Sequence, residues 1–311
     1  MKIATVTLNP AIDQTVQVDH LQLNRVNSGQ AMQFDPGGKG VNVASFLADA
    51  GYAVAVTGFL GAENPRLFSQ LFEQKGITDQ FVRIPGRTRT NLKIVDEANQ
   101  QTTDINMVGL SPAPQAITAL YEQVEQLAHS HDWFVLAGNL PPAVPTTIWA
   151  MLIGRIRSHG RCVALDTSRA ALQEGVLARP TIVKPNIHEL GQWAGRPLTN
   201  QNEIIQAARE LLALAIELVV VSMGEEGAFF VSQQEIVQTI PPPISVKSTV
   251  GAGDAMVAGV VSGRVQKLPL AQLARLATAF SLGAISGVGA HLPQPNTLQT
   301  LAAQVTVRQV A

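Results

Sequence analysis

The 311-residue sequence has few aromatic residues, almost no net charge, one cysteine and no long uninterrupted hydrophobic run. Aromatic residues make up 5% of the chain and the formal net charge is −1. Because no broad basic excess exists to displace counterions from phosphates, no nucleic-acid partner is expected. The single cysteine, Cys162, permits no internal disulfide. Since it lies in an apolar run, we expect a buried, unreactive thiol.

The apolar stretches are too short for a membrane protein. The run from Leu211 to Met223 is interrupted by Glu217 and cannot cross a bilayer, so no membrane partner is expected. The N-terminal sequence MKIATVTLNP is typical of a strand and not of a signal peptide. No group of cysteine and histidine residues has the spacing of a zinc site. These features predict a cytoplasmic protein.

Apolar runs rich in β-branched residues alternate with helical patterns along the chain. This alternation predicts an α/β fold with a mostly parallel sheet covered by helices on both faces. The predicted strands are Ile3–Leu8, Ala53–Phe59, Trp133–Ala137, Val163–Asp166, Thr181–Val183 and Leu218–Ser222. The predicted helices lie near Gly40–Ala50, Pro65–Lys75, Pro114–His129, Pro145–His159, Asn202–Ala213, Ala252–Arg264, Leu270–Ser286 and Thr297–Val305.

Two stretches, about 14–34 and 88–108, interrupt this alternation with a polar and apolar repeat of period two. Within the second stretch, Asn91–Asp96 and Thr102–Asn106 flank a polar turn and predict a hairpin with one solvent-facing side. We interpret both stretches as a small β lid on a single domain that spans residues 1–311. An ordinary edge hairpin is the alternative.

The sequence TVGAGDAM, Thr249–Met256, places two glycines and a carboxylate where a loop becomes an apolar helix. Gly251 and Gly253 permit unusual backbone angles and let a ligand approach the main chain. Free N–H groups at a helix start bind anions, and Asp254 lies beside them as a candidate base. The motif alone is weak, because a tight turn with Asp254 as a helix cap gives the same pattern.

A second glycine cluster, Gly37–Gly38 and Gly40, also precedes a helix and carries Lys39 and Asn42 as polar groups. It does not match a Walker loop, which needs Ser or Thr after the lysine, and it does not match the dinucleotide fingerprint. Ligand binding and close packing of the helix on the sheet explain this cluster equally well.

Four further motifs lie next to predicted strands. Asp13 follows the first strand and is suited to accept hydrogen bonds from sugar hydroxyls, or it is a turn aspartate. Asn186 and Glu189 offer oxygen ligands for magnesium, or they form a helix-capping pair. The glycine-rich segment Ser222–Gly227 allows a flat turn over a nucleotide, or a simple hairpin turn. Arg89 is suited to a phosphate contact, or it is a solvated surface arginine.

Together, six segments in this order and spacing resemble the ribokinase-like sugar kinases of the phosphofructokinase-B branch from end to end. The segments are TLNPAID, PGGKGVNVA, GRTRTN, VKPNIHEL, SMGEEGA and STVGAGDAMVAG. The resemblance implies a three-layer α/β/α sandwich with a mostly parallel central sheet and a small β lid. Because that lid often forms a dimer clasp in relatives, a homodimer is expected, with Arg25 the candidate for a basic residue contributed to the partner's site.

The resemblance also implies an activity. This is ATP-dependent phosphorylation of a sugar phosphate, with Mg²⁺ accompanying ATP. Fructose 1-phosphate is the favoured acceptor, and the 6-phosphates of fructose and tagatose are the alternatives. A non-catalytic sugar-phosphate sensor on the same scaffold is the alternative of another class.

The same resemblance implies the roles of individual residues. Asp254 is the implied base, with an anion hole formed by Gly251, Ala252 and Gly253. The implied sugar-phosphate contacts are Asp13, Gly37, Gly38, Lys39, Asn42, Arg89 and Asn139. The implied ATP contacts are Lys184, Asn186, Ser222, Gly224, Glu225, Gly227, Ser248, Thr249 and Gly253. Asn186 and Glu189 are implied to hold Mg²⁺, partly through water.

The chain departs from the family pattern at two of its motif positions. Ala255 and Asn139 both stand where the family usually has serine. Neither change touches the base or the anion hole. Both bear on which sugar fits.

Overall fold

The computed structural model describes residues 1–99, 101–244, 251–287 and 289–310. Within these residues the strands are β1 (Lys2–Thr7), β2 (Ala11–Val18), β3 (Gly29–Gly37), β4 (Ala53–Gly61), β5 (Thr78–Asp79), β6 (Val82–Ile84), β7 (Thr90–Asp96), β8 (Gln101–Ile105), β9 (Trp133–Ala137), β10 (Cys162–Asp166), β11 (Ile182–Val183), β12 (Leu218–Ser222), β13 (Ala228–Ser232), β14 (Ile236–Ile240) and β15 (Thr306–Gln309). The helices are α1 (Lys39–Asp49), α2 (Arg66–Lys75), α3 (Pro114–Ala128), α4 (Ile148–Ser158), α5 (Arg169–Leu177), α6 (Ile187–Ala194), α7 (Gln201–Leu212), α8 (Ala252–Val265), α9 (Leu270–Ile285) and α10 (Pro295–Gln304).

The main sheet has the strand order β15-β14-β13-β12-β11-β10-β9-β1-β4-β5, and β6 pairs with the end of β4. From β5 to β12 all neighbours are parallel, whereas β13, β14 and β15 add an antiparallel edge. The strands are apolar on both faces, as β9 shows. Phe134 and Leu136 enter one core, and Val135 and Ala137 enter the other. A sheet buried on both sides requires such continuous apolar runs.

Helices cover each face of this sheet. One core layer takes its side chains from α3 to α7, with Leu152 and Leu211 fully buried. The opposite layer is built from α1, α2, α8 and α9, with Phe46 and Phe280 among its largest members. The sequence-based prediction of an α/β fold with a mostly parallel central sheet is therefore confirmed.

A second sheet of four strands has the order β3-β2-β7-β8. Strand β2 pairs antiparallel with β3 and parallel with β7, and β7 pairs antiparallel with β8 where the sequence predicts a hairpin. Every residue of β8 is exposed. This small sheet extends beyond the predicted bounds, because β2 begins at Ala11 and β3 ends at Gly37.

Several predicted features need correction. The antiparallel strands β13, β14 and β15 are absent from the sequence-based prediction, and the predicted helix that begins at Pro145 begins at Ile148. The thiol of Cys162 is half-buried rather than buried. Burial nevertheless raises its pKa, which disfavours the reactive thiolate. In the part of the chain that the structure describes, no helix is both long and apolar enough for a membrane span.

Candidate active site

The carboxyl ends of the central strands carry polar residues that open into two neighbouring cavities. Ligands of open parallel sheets bind at this edge. The smaller cavity, about 370 Å³, lies between the main sheet and the small sheet. The larger, about 840 Å³, lies between the β12–β13 turn and helices α8 and α9. The first turn of α8 separates them, because Asp254 lines the smaller cavity and Ala252 and Gly253 line the larger.

Helix α8 begins at a glycine with left-handed backbone geometry. Gly251 has φ 84° and occupies the N-cap position, and the first helical hydrogen bond runs from the Ala255 N–H to the Gly251 carbonyl at 2.8 Å. The amides of Ala252, Gly253 and Asp254 therefore precede the first intrahelical bond. With the positive end of the helix dipole, they form a site suited to an anion. The alternative in which Asp254 caps the helix is wrong, since Gly251 is the cap.

The carboxylate of Asp254 is buried and aims into the smaller cavity. It is 7% exposed, and its Oδ2 accepts a hydrogen bond of 2.8 Å from Asn42 Nδ2. Burial and, to a lesser degree, the charge of Asp166 raise its pKa from 3.8 to about 6, against the opposing effects of Lys39, Asn42 and Lys184. A carboxylate with a raised pKa is a better proton acceptor than a free one and is still ionised at neutral pH.

Two lysines and a second aspartate surround this carboxylate. Asp166, at the end of β10, is 1% exposed. Its Oδ1 lies 3.1 Å from Lys39 Nζ and 3.6 Å from Lys184 Nζ. Burial by itself would raise the pKa of Asp166, but Lys184 and Lys39 outweigh it and hold that pKa below its ordinary value. The attraction of Asp166 in turn raises the pKa of Lys39. Lys39 is therefore held as a cation beside Asp254.

The predicted sugar-phosphate contacts gather around the smaller cavity. Six of the predicted contacts line this cavity: Asp13, Gly38, Lys39, Asn42, Arg89 and Asn139. Gly37 lies immediately behind it, because a Cβ added there would collide with Asp13 Oδ2. Asp13 is not a turn residue but part of β2, where it accepts a hydrogen bond of 2.9 Å from Asn91 Nδ2. Burial raises the pKa of Asp13.

Arg89 reaches the cavity wall with most of its guanidinium already engaged. It donates to the carbonyls of Asn9 at 2.9 Å, Pro10 at 3.3 Å and Met107 at 2.8 Å. Burial lowers its pKa. Of its five N–H groups, three are used to join the loop between β1 and β2 to the segment that follows β8. Its predicted phosphate contact stays a prediction that rests on the two remaining donors.

The larger cavity collects most of the predicted ATP contacts. Ser222, Gly224, Glu225 and Gly227 line it together with Gly253. The turn is also a hairpin turn, because it joins antiparallel β12 and β13 through one turn of 3₁₀ helix, Gly224–Glu226. Lys184 does not line this cavity but lies beside it, with Nζ 3.5 Å from the position of a Cβ on Gly253. Ser248 and Thr249 lie outside the described residues.

Asn186 and Glu189 form a complete capping box at the start of α6. Asn186 Oδ1 accepts from the Glu189 N–H at 2.8 Å, and Glu189 Oε2 accepts from the Asn186 N–H at 2.9 Å. The capping interpretation of this pair is therefore confirmed. Glu189 also lines the smaller cavity. One carboxylate oxygen, Oε1, has no hydrogen bond within the described chain and remains available to a ligand.

The structure places three further charged residues in or beside the smaller cavity. Asp166 and Asp104 have no role predicted from the sequence, whereas Lys93 belongs to a local basic cluster with Arg83, Arg87 and Arg89 that suits a small anionic ligand. Asp166 is the last residue of a predicted strand, and a polar residue at the carboxyl end of a parallel strand is the sequence feature that points to a site. Lys93 and Asp104 lie on β7 and β8 and line the cavity from the small sheet. In the sequence, the alternation of polar and apolar residues predicts that Lys93 and Asp104 lie on the polar face of the hairpin.

Comparison with known proteins gives one consistent result. A model of the pfkB family of carbohydrate kinases matches residues 6–297. A 1-phosphofructokinase from Rhodobacter capsulatus is 50% identical over 309 residues, which cover 99% of this chain and 98% of that protein. The solved structure of phosphofructokinase-2 from Escherichia coli with potassium superposes with a TM-score of 0.91 at 28% identity, over 97% of this chain and 98% of the other. A possible 1-phosphofructokinase from Thermotoga maritima superposes with a TM-score of 0.90 at 26% identity, over 100% of both chains.

Proposed function

The chain belongs to the pfkB family of carbohydrate kinases, and from this membership we propose that it transfers the γ-phosphoryl group of ATP to the 6-hydroxyl of fructose 1-phosphate. The observation that supports the chemistry most directly is the position of the α8 start between two cavities. ATP occupies the larger cavity and the sugar phosphate the smaller. Because the co-substrate is ATP, the cytoplasm is the proposed location.

Asp254 acts as the general base in this proposal. Its buried carboxylate faces the smaller cavity, and the hydrogen bond from Asn42 fixes one oxygen. The other oxygen has no hydrogen bond within the described residues and is placed to accept the proton of the attacking hydroxyl. General-base assistance of this kind contributes on the order of 10²–10⁴ in rate.

The amides of the first α8 turn stabilise the charge on the transferred phosphoryl group. Ala252 and Gly253 line the larger cavity, and Gly253 has no side chain to block the approach of a phosphate to its backbone. Lys184, held next to Gly253 by Asp166, adds a positive charge at the same point. Fixed dipoles and charges that need no rearrangement are the main source of phosphoryl-transfer catalysis.

The residues near α6 fit a magnesium ion that arrives with ATP. Within residues 1–99, 101–244, 251–287 and 289–310, no three His, Cys, Asp or Glu side chains form a metal cluster. This suits Mg²⁺, which keeps several waters and uses few protein ligands. Glu189 has one free carboxylate oxygen for a bound water, whereas the Asn186 oxygen is used by the cap. When bound, the ion would neutralise charge on the phosphate oxygens.

The small sheet is the proposed lid and the proposed homodimer surface. It forms one wall of the smaller cavity, so its closure would exclude water as a competing acceptor. Its outer residues include apolar side chains with high exposure: Met32 at 61%, Ile105 at 46% and Phe34 at 42%. Exposed apolar groups gathered on one sheet favour an interface. Sedimentation velocity that returns only a monomer over the working concentration range would contradict the homodimer.

A panel of acceptors tests the proposed activity. We expect ATP-dependent conversion of fructose 1-phosphate with a higher kcat/KM than that of fructose 6-phosphate or tagatose 6-phosphate. ADP release in a coupled assay is the measurement, with each sugar phosphate omitted in turn as the control. A preference for either 6-phosphate would overturn the assignment of the acceptor. Turnover of none of them, with sugar-phosphate binding retained, would favour a sensor.

The pH profile tests the base independently. Since Asp254 must be ionised to accept a proton, and its pKa lies at about 6, kcat/KM should rise tenfold per pH unit below about 6 and level off above it. Initial rates with fructose 1-phosphate across this range provide the measurement. Phosphate esters also titrate near about pH 6, so the same profile with unphosphorylated fructose is the control. A profile that is flat with fructose would contradict the assignment.

A further inference from the structure

A lysine and an aspartate on the small sheet form a pair that faces the smaller cavity. Lys93 on β7 and Asp104 on β8 are directly opposite in the antiparallel register. Their side chains lie 3.7 Å apart, and both line the cavity. Lys93 is 18% exposed, whereas Asp104 is 53% exposed. The pair therefore consists of a largely covered cation and a carboxylate that remains in solvent.

Lys93 is the least engaged of the cations that line this cavity. Lys39 is held by the fully buried Asp166 at 3.1 Å. Arg89 donates three hydrogen bonds to backbone carbonyls. In the described part of the chain, the Lys93 ammonium has no hydrogen bond and only the loose contact with Asp104. An ammonium carries three donors, so Lys93 has capacity for an anionic ligand.

Lys93 lies where the phosphate of fructose 1-phosphate is expected to bind. In fructose 1-phosphate, the phosphate and the reacting 6-hydroxyl are at opposite ends of the molecule. The hydroxyl must meet Asp254, which lies in the first turn of α8 and lines the cavity. The phosphate must then meet the other wall, which the small sheet provides. Lys93 lies on that wall, in the neighbourhood of Asp13, the candidate contact for a sugar hydroxyl.

Resting on the proposed function, we propose that Lys93 recognises the phosphate ester of the sugar substrate and that Asp104 is the counter-ion it exchanges for that phosphate. Lys93 is thus a specificity-determining residue. Asp104 neutralises Lys93 in the free protein and weakens phosphate binding by competing for the ammonium. A phosphate dianion is a stronger partner for an ammonium than a solvated carboxylate.

Lys93→Met removes the charge and keeps the length of the side chain. We expect KM for fructose 1-phosphate to rise roughly 10- to 100-fold, the effect of one charge-assisted hydrogen bond, with little change in kcat or in KM for ATP. With fructose, which has no phosphate, kcat/KM should be the same in the variant and the unmodified protein. The control Lys2→Met changes an exposed lysine at the first residue of β1, whereas the cavity lies at the carboxyl ends of the strands. It should leave kcat/KM unchanged for both fructose 1-phosphate and fructose.

Asp104→Asn separates recognition from structural support. If Asp104 only competes with phosphate, its neutral variant should lower KM for fructose 1-phosphate by about two- to fivefold, since the competing ion pair is weak. The two variants then act in opposite directions. A KM that rises in both variants would identify a structural ion pair and overturn the proposal. An equal loss of kcat/KM with fructose and fructose 1-phosphate in Lys93→Met would overturn it as well.

Calorimetric titration with fructose 1-phosphate in the absence of ATP separates this inference from the kinase assignment. If the unmodified protein binds the sugar phosphate and Lys93→Met binds it more weakly, the inference stands even where no turnover is seen. Equal binding by both proteins overturns the inference and leaves the kinase assignment intact. Absence of binding by the unmodified protein overturns both.

Discussion

Asp254→Asn is expected to lower kcat by about 10²- to 10⁴-fold while KM for both substrates changes little. Asparagine has nearly the same shape, and its side-chain oxygen still accepts the hydrogen bond from Asn42 Nδ2. The anion hole is formed by backbone amides and is unaffected. What is lost is the proton acceptor, which acts only in the transition state. Steady-state kinetics with fructose 1-phosphate and ATP are the measurement.

The same substitution should stabilise the fold at alkaline pH. The folded protein raises the pKa of Asp254 from 3.8 to about 6, so folding favours its protonated form. The stability that the protonated group contributes is fully present below pH 3.8 and is lost as pH rises through about 6. A neutral asparagine avoids this loss. At about pH 8 the variant should gain up to about 3 kcal/mol in the free energy of unfolding.

Urea unfolding at two pH values checks this gain, with Asp19→Asn as the control. Asp19 is an exposed aspartate on the segment that follows β2. The advantage of Asp254→Asn should shrink as the pH falls below about 6. The control is a surface substitution and should change the free energy of unfolding by no more than about 0.5 kcal/mol. Near-normal turnover by Asp254→Asn would exclude it as the base. A variant that is less stable than the unmodified protein at alkaline pH would contradict the raised pKa.

The parallel part of the fold is predictable from the sequence because burial on both faces leaves continuous apolar runs. Strands β9 and β12 match their predicted bounds, Trp133–Ala137 and Leu218–Ser222. The antiparallel edge is not predictable in the same way. Strand β14 carries a mixed apolar and polar pattern, and β15 contains only four residues, Thr306–Gln309. Their pairing depends on contacts between segments that are distant in sequence.

Some residues of the candidate site are recognisable from the sequence and others are not. The glycines that open α1 and α8 are recognisable because the left-handed geometry at Gly38 and Gly251 requires that residue type. Asp166 is not recognisable as a site residue. It becomes important only because the fold brings Lys39, 127 residues away, onto the same oxygen as Lys184. The partnership of Lys93 with Asp104 depends in the same way on the register of β7 with β8.

Asp166→Asn is expected to lower the free energy of unfolding by about 3–5 kcal/mol, the usual cost of removing one partner from a buried ion pair. Lys184 is only 5% exposed, and the change removes the carboxylate charge that lies 3.6 Å from its Nζ. Burial would raise the pKa of Asp166, but Lys184 and Lys39 hold it below its ordinary value of 3.8. The stability it contributes is thus present above pH 3.8 and is lost as pH falls through the lower, folded pKa. Urea unfolding near neutral pH is the measurement.

Asp132→Asn is the matched control, because Asp132 forms an ion pair of 3.6 Å with Arg161 at the surface and is 41% exposed. We expect a change of about 0–1 kcal/mol there. A second readout concerns activity. The charge of Asp166 raises the pKa of Asp254, so its removal should move the acid limb of kcat/KM to lower pH. If the fall of kcat/KM at low pH came from protonation of the substrate phosphate instead, Asp166→Asn would leave its midpoint pH unchanged. Unchanged stability together with an unmoved limb would show that the lysines are neutralised by another group, and that Asp166 does not organise this site.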